Sequence, residues 1–241
     1  MNARTRAGSI KPHSVAANSL GQRVVAGEWA AGTTIPTEAV LSKEFHVSRP
    51  SMREAIKLLC GKGLLTAVPR IGTIVRPEQD WNRLDPDVLA WQAKGGVSER
   101  MIHDLFELRN IVEPEAAALA ATRADAAAIE QMRADVTQLG LSDKAASIAA
   151  DIRFHRMLLE ATANPFLASF FPAIEACMSM SFTVSRADAL PHEHIVPLHS
   201  AIAEAIANHD ANQARLAMQN LLERSLRDAL SGLLLAQPPA T

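Results

Sequence analysis

The chain has 241 residues, 48 % of them apolar, enough to fill two ordinary cores. Its 24 basic and 26 acidic residues nearly cancel, so total charge points to neither a nucleic-acid nor a membrane partner. Two cysteines, Cys60 and Cys177, without ligand spacing exclude a disulfide scaffold and suggest a reducing, cytoplasmic setting; apolar runs such as Leu233-Leu234-Leu235 fall short of the roughly 20 residues that span a bilayer.

Residues 1–13 are polar and basic, carry no cleavable signal pattern, and are expected to be a disordered arm. The first element with clear punctuation begins at Thr37, an N-cap candidate, and places Ala39, Val40, Leu41 and Phe45 on an apolar helical stripe. His46 and Val47 make a tight turn. Ser48 then caps a second helix with Pro50 in its first turn, where the missing N–H costs nothing. Met52, Ala55, Ile56 and Leu59 point inward, leaving Arg49, Ser51, Arg53 and Lys57 outside. Two arginines and a hydroxyl at a helix N-terminus suit the major groove, where Arg can hold guanine O6 and N7 together. The alternative is an ordinary helical hairpin with a solvated basic face. Two short β-branched segments, 64–68 and 73–75, flank Pro69-Arg70-Ile71-Gly72 and favour the first reading, because a hairpin after a helix-turn-helix is a wing.

Charge is divided along the chain. Residues 1–76 hold 11 basic and 4 acidic side chains, and the remainder 13 and 22. A basic module joined to an acidic one fits a DNA reader with a separate second domain.

From Gly27 to Val75 the sequence resembles the winged helix-turn-helix of the GntR family of bacterial transcription regulators. The shared residues are Pro36-Thr37-Glu38, Leu41, Phe45, Val47-Ser48-Arg49, Met52-Arg53-Glu54-Ala55, and the wing Gly72-Thr73 with Val75. The resemblance implies DNA contacts from Thr37, Glu38, Ser48, Arg49, Pro50, Ser51, Arg53, Arg70, Gly72 and Thr73. Many members carry Arg where this chain has Ala39, so one contact differs.

Residues 77–97 are expected to be a linker with a short helix that Asp85 caps and that runs through Trp91, which bounds a winged domain at 14–76. Helical periodicity then covers about 98–122, 125–138, 143–162, 165–184, 191–208 and 211–235, an antiparallel bundle over 98–235. The fold class is therefore mainly α. Polar groups stand on apolar faces in three of these helices: Arg109 with Ile102, Phe106 and Val112; Asp151 and His155 with Ile148, Ile152 and Leu159; His199 with Ile195, Ile202 and Ile206. An Asp and His one turn apart, joined by a distant His, can hold a divalent metal with positions left open.

Asp151, His155, Asn164 and His199 in this order resemble the effector domain of the FadR subfamily, the all-helical FCD type. The resemblance implies zinc or nickel on Asp151, His155 and His199, with a third His expected at the place of Leu221, and an effector pocket lined by Arg109 and Asn164. Arg109 would bind a carboxylate, with Glu113 either holding it or merely lying beside it on the helix surface. The segments 81–91 and 108–114 are similar to repressors of sugar-acid catabolism, galactonate repressors among them, which adds Ser179, Ser181, Thr183 and Arg186 as candidate hydroxyl partners. The expectation is a cytoplasmic, dimeric repressor, not an enzyme, that binds a pseudo-palindromic double-stranded operator and is released by a small carboxylate. Two other classes stand beside it: an enzyme built on two His and one carboxylate, and an architectural DNA-binding dimer without an effector.

Overall fold

The computed structural model describes residues 11–141, 143–184 and 192–236, which form two compact units divided between Gly96 and Val97. The basic arm expected over 1–13 lies outside the described residues up to residue 10. At Pro12 a helix already begins.

The first unit contains α1 (Pro12–Val25), α2 (Glu38–Glu44), α3 (Arg49–Gly61), the antiparallel strands β1 (Leu65–Val68) and β2 (Gly72–Val75), and α4 (Pro86–Lys94). Sequence reading assigned no element to α1, although Ala16, Ala17, Leu20 and Val24 recur at helical spacing and are buried. With Leu41, Met52, Leu59 and Leu64 they form one core. Truncating a wholly buried member such as Met52 or Leu59 to Ala costs about 2–5 kcal/mol. On α2 the expected stripe is narrower than its pattern suggests: Leu41 is buried, but Val40 is 52 % exposed. β1 and β2 pair in the register Leu65↔Val75 to Val68↔Gly72, and Thr34 bridges to Ile74 on the other side of β2.

Of residues 77–97, expected as a linker with a short helix, Val97 already belongs to the second unit, while 77–96 are folded onto this one and include that helix, α4. Trp81 and Trp91 are buried in its core, and the Trp91 indole donates to Asn18 Oδ1 at 2.6 Å. The fit requires a glycine on α1, since a Cβ at Gly21 would sit within 2.4–2.7 Å of the Trp91 ring. Lys62 closes the join with Asp85 and Asp87 at 2.7 and 2.8 Å.

The second unit is all helical: α5 (Glu99–Arg123), α6 (Ala126–Leu139), α7 (Lys144–Glu160), α8 (Pro165–Ala168), α9 (Phe171–Val184), α10 (His192–Ala207) and α11 (Ala211–Ala236). Ser98, Asp125 and Asp143 cap α5, α6 and α7 through their side chains. The single helix expected over 165–184 is split into α8 and α9. Pro172 has no N–H to give and its ring opposes the carbonyl four residues earlier, at Ala168, where α8 ends. The window Pro165–Phe182 is long and apolar enough by composition to cross a membrane, contrary to the expectation from apolar runs. Here its apolar residues Phe171, Ile174, Met178 and Met180 are buried, three of them in the bundle's main core. That core is closed by Phe154, Leu158, Ile202, Met218 and Leu222, from α7, α10 and α11.

Candidate functional site

On the first unit, the Ser48 hydroxyl accepts from the Ser51 N–H at 3.2 Å, which fixes the start of α3 where Pro50 already favours helical φ. The inward set Met52, Ala55, Ile56 and Leu59 is buried as expected. The opposite face, Ser48, Arg49, Pro50, Arg53 and Lys57, is exposed, with Ser51 half-buried. Thr37 holds the cap position of α2 by its backbone, but its hydroxyl makes no capping hydrogen bond. His46 adopts φ 53° in the turn between the helices, and Arg70 adopts φ 65° at the hairpin tip beside Gly72 at φ 124°. Thus Arg70 and Gly72 stand exposed on the wing, with Thr73 half-buried behind them.

The two arginines of α3 differ. Arg53 Nε and Nη2 bind Glu38 Oε2 at 3.1 and 2.9 Å, an exposed fork between α2 and α3 that raises the arginine's pKa. Arg49, one turn earlier on α3, is exposed without such a fork.

In the second unit, two helices bring the candidate ligands together. α7 places Asp151 and His155 one turn apart, and α10 brings His199; their ligand atoms lie within 4.8 Å of one another. Asp151 Oδ1 is 3.3 Å from His155 Nε2 and 3.0 Å from His199 Nε2. The other ring nitrogens also face oxygens: His155 Nδ1 is 2.6 Å from Glu113 Oε2, and His199 Nδ1 is 3.0 Å from the Ile195 carbonyl. A neutral imidazole carries only one N–H, so it cannot donate in both directions. A carbonyl only accepts, hence His199 Nδ1 keeps the proton and its Nε2 lone pair faces the Asp151 carboxylate. Such a pair of acceptors is tolerated only with a cation, proton or metal, between them. The donor set therefore fits a divalent ion, which takes N and O ligands at roughly 2.0–2.2 Å.

Glu113 decides between the two readings left open for it. It is fully buried, accepts from Arg109 Nε, takes a second bond from Arg109 Nη2 at 3.2 Å, and reaches His155. Burial works against its charge, but Arg109 and His155 outweigh it and hold the carboxyl at about 2. Burial likewise opposes charging His155, yet Glu113 and Asp151 push its pKa above the ordinary histidine value. For Asp151, burial is again overcome by the two histidines, which keep the carboxyl well below the usual range.

These groups open onto a cavity of about 50 Å³, several times the roughly 10–15 Å³ that one water needs. Arg109, Asp151, His155 and His199 line it, and Leu221 stands in its wall where a third histidine was expected. Of the other residues read from the sequence, Ser181 reaches the cavity, Ser179 lies on the exposed side of α9, and Thr183 and Arg186 fall outside the described side chains. Asn164 is not among the lining residues. Its side-chain oxygen accepts from the Phe166 N–H at 3.0 Å, so it serves as the N-cap of α8 instead. Three polar lining residues escaped sequence reading: Arg224, Ser225 and Asp228. The signal was available, since they follow Leu221 at +3, +4 and +7 on α11.

Comparison with known proteins matches residues 12–75 to the family model of bacterial regulatory proteins, gntR family, and residues 104–224 to the FCD domain. The HTH-type transcriptional regulator YieP of Escherichia coli K12 is 35 % identical over 86 % of this chain and 91 % of its own length. The galactonate operon transcriptional repressor of the same organism is 32 % identical over 87 % and 93 %. The transcriptional repressor NanR of an Enterobacter species is 30 % identical over 84 % and 79 %. Among solved structures, Lar, which controls expression of the Listeria monocytogenes agr system, superposes with a TM-score of 0.66 at 19 % identity, covering 93 % of this chain and 99 % of Lar. E. coli McbR/YncC gives 0.54 at 14 %, covering 92 % and 99 %; both show the fold.

Proposed function

Because the chain belongs to the gntR family of bacterial regulatory proteins and carries an FCD domain, we propose that it is a cytoplasmic repressor that grips operator DNA as a dimer and releases it on binding a sugar acid. The observation that carries the ligand half is the meeting of Arg109, Asp151, His155 and His199 at one cavity. Isolated buried charge is costly, and the convergence of four such groups on one cavity supports a binding role there.

The DNA half is assigned to α3 and the wing. Arg49 and Arg53 would reach base edges or phosphates, Ser48, Ser51 and Thr37 phosphates, and Arg70, Gly72 and Thr73 the flank of the site, with Glu38 acting through Arg53. A winged unit of this size covers one half-site, so two copies on a pseudo-palindrome are expected.

In the bundle, Asp151, His155 and His199 would hold zinc or nickel. A bound divalent ion would supply positive charge and open coordination positions for a carboxylate. Glu113 orients His155 through Nδ1 and at the same time keeps Arg109 in the cavity wall. Among the relatives, one is named for repression of a galactonate operon, which favours a hydroxylated acid. Binding would shift the population between DNA-competent and DNA-incompetent forms by no more than the effector's differential affinity for them.

A thermal-shift screen of sugar acids and other small carboxylates, with Zn²⁺ and with chelator, tests this reading. An acid at a hundred times its Kd stabilises by about 2.7 kcal/mol. The expected result is a shift that needs the metal and an acid that frees DNA at the same concentration; no shift with any carboxylate would overturn the effector assignment.

A further inference from the structure

The cavity has a second polar end. On α11, Leu222, Ala229 and Leu233 are buried in the apolar cores, while Leu221, Arg224, Ser225 and Asp228 face the cavity at i, i+3, i+4 and i+7. A helix of a bundle core would normally be apolar along such a stripe. Here Arg224 Nε binds Asp228 Oδ2 at 3.0 Å, with side-chain exposures of 39 % and 20 %, so the pair is partly open to solvent while lining the cavity. By contrast Arg109 is 4 % exposed and already matched by Glu113.

Charge narrows what the cavity accepts. Arg109 and Arg224 against Glu113, Asp151 and Asp228 leave one net negative charge with both histidines neutral. A divalent ion on Asp151, His155 and His199 turns that into one net positive. One carboxylate satisfies it; a neutral sugar leaves it unmatched, and a diacid exceeds it. What remains on α11 is a carboxylate acceptor, a guanidinium donor and a hydroxyl, the complement of adjacent alcohol groups, which each donate and accept.

We propose that Arg224, Ser225 and Asp228 are the hydroxyl-reading end of the effector cavity and select a polyhydroxy monocarboxylate long enough to reach α11 over a short acid. The assignment rests on the effector reading above and adds to it the residues that set chain length and hydroxylation. Where Leu221 removes a ligand from the α11 side of the metal set, the same helix face supplies organic recognition instead.

Isothermal titration of the full-length, Zn²⁺-loaded protein with a panel of six-carbon aldonates, D-galactonate included, and with glycolate tests it. At least one aldonate is expected to bind more tightly than glycolate. Asp228→Asn and Ser225→Ala should each weaken that aldonate about tenfold or more, the range of a lost hydrogen bond to a charged or well-placed group, and leave glycolate within about twofold. Unchanged melting temperatures without ligand confirm that both variants fold, and Arg224→Gln provides a third if one does not. No aldonate outperforming glycolate, equal losses for both acids, or no loss for either overturns the subsite. If the wild type binds neither glycolate nor any aldonate, the effector reading fails first and the subsite with it.

Discussion

On α3, Arg49 and Lys57 stand in water, and even the Arg53–Glu38 fork is open to solvent on the outer face. In the bundle, Arg109, Glu113, His155 and His199 are at most 4 % exposed; the first three pair with one another, and His199 joins them through Asp151. The same residue types therefore carry different costs. Exposed charges contribute little to folding and are free to exchange water and counterions for phosphate. Buried charges hold their place only as a network, and removing one member strands the rest. A mutation on α3 should change binding and spare folding, and one in the network should change both.

The sharpest way to break this contrast is Glu113→Ala. It leaves Arg109 buried without its counter-charge, and a loss of about 3–5 kcal/mol in unfolding free energy is expected, together with a 10- to 100-fold weaker metal site. Denaturant melts and metal titration measure the two effects. A melt unchanged from wild type would mean that the network is not closed as described. Next is Arg49→Ala, with an expected loss of about 1–3 kcal/mol in operator affinity by fluorescence anisotropy and no change in melting temperature. Full operator affinity would remove α3 from the DNA interface.

Smaller again is Leu221→His. Since Leu221 lines the same cavity as the three ligands, a fourth ligand and third nitrogen there should tighten metal binding by at least about tenfold, about 1.4 kcal/mol. Metal content that does not change would argue against the site. The smallest effect is in pH. In metal-free protein, a carboxyl held at about 2 adds stability that is complete above its ordinary value and lost as pH falls through about 2. A histidine whose pKa is raised adds stability that is complete below roughly 6.5 and lost as pH rises through its folded value. The metal-free bundle should thus melt highest between the ordinary carboxylate and histidine values. A chelated sample scanned from acid to alkaline pH would show this, and a melting temperature flat above neutrality would contradict the His155–Glu113 pairing.

How far the sequence could be read follows the same division. α3 was legible because its signals are local: a capping Ser48, Pro50 in the first turn, and four inward residues at helical spacing. The Asp151–His155 pair was legible for the same reason, being one turn apart on one helix. His199 stood out as polar on an apolar face. Glu113 was not decided, because an i,i+4 partner of Arg109 looks alike on a surface and in a core; only its burial shows which. Arg224 and Asp228 were missed for the same reason, since an i,i+4 pair looks alike on a surface and at a cavity wall. Asn164, expected at the pocket, caps α8 through its side chain, a local role that a residue before proline does not announce. α1 was passed over because its apolar set lies among alanines and carries no strong cap; no side chain caps its N-terminus. The break at Ser169 was predictable from Pro172 alone.

The packing of Trp81 and Trp91 into the first unit has a practical consequence. The chain has three tryptophans, Trp29, Trp81 and Trp91, and no tyrosine, so every residue that fluoresces under indole excitation lies in the first 96 positions. The bundle is optically silent at those wavelengths. An acid that enters the cavity can alter the emission only if its arrival is felt in the winged unit. Intrinsic fluorescence therefore serves as a label-free gauge of communication between the unit that senses and the unit that grips.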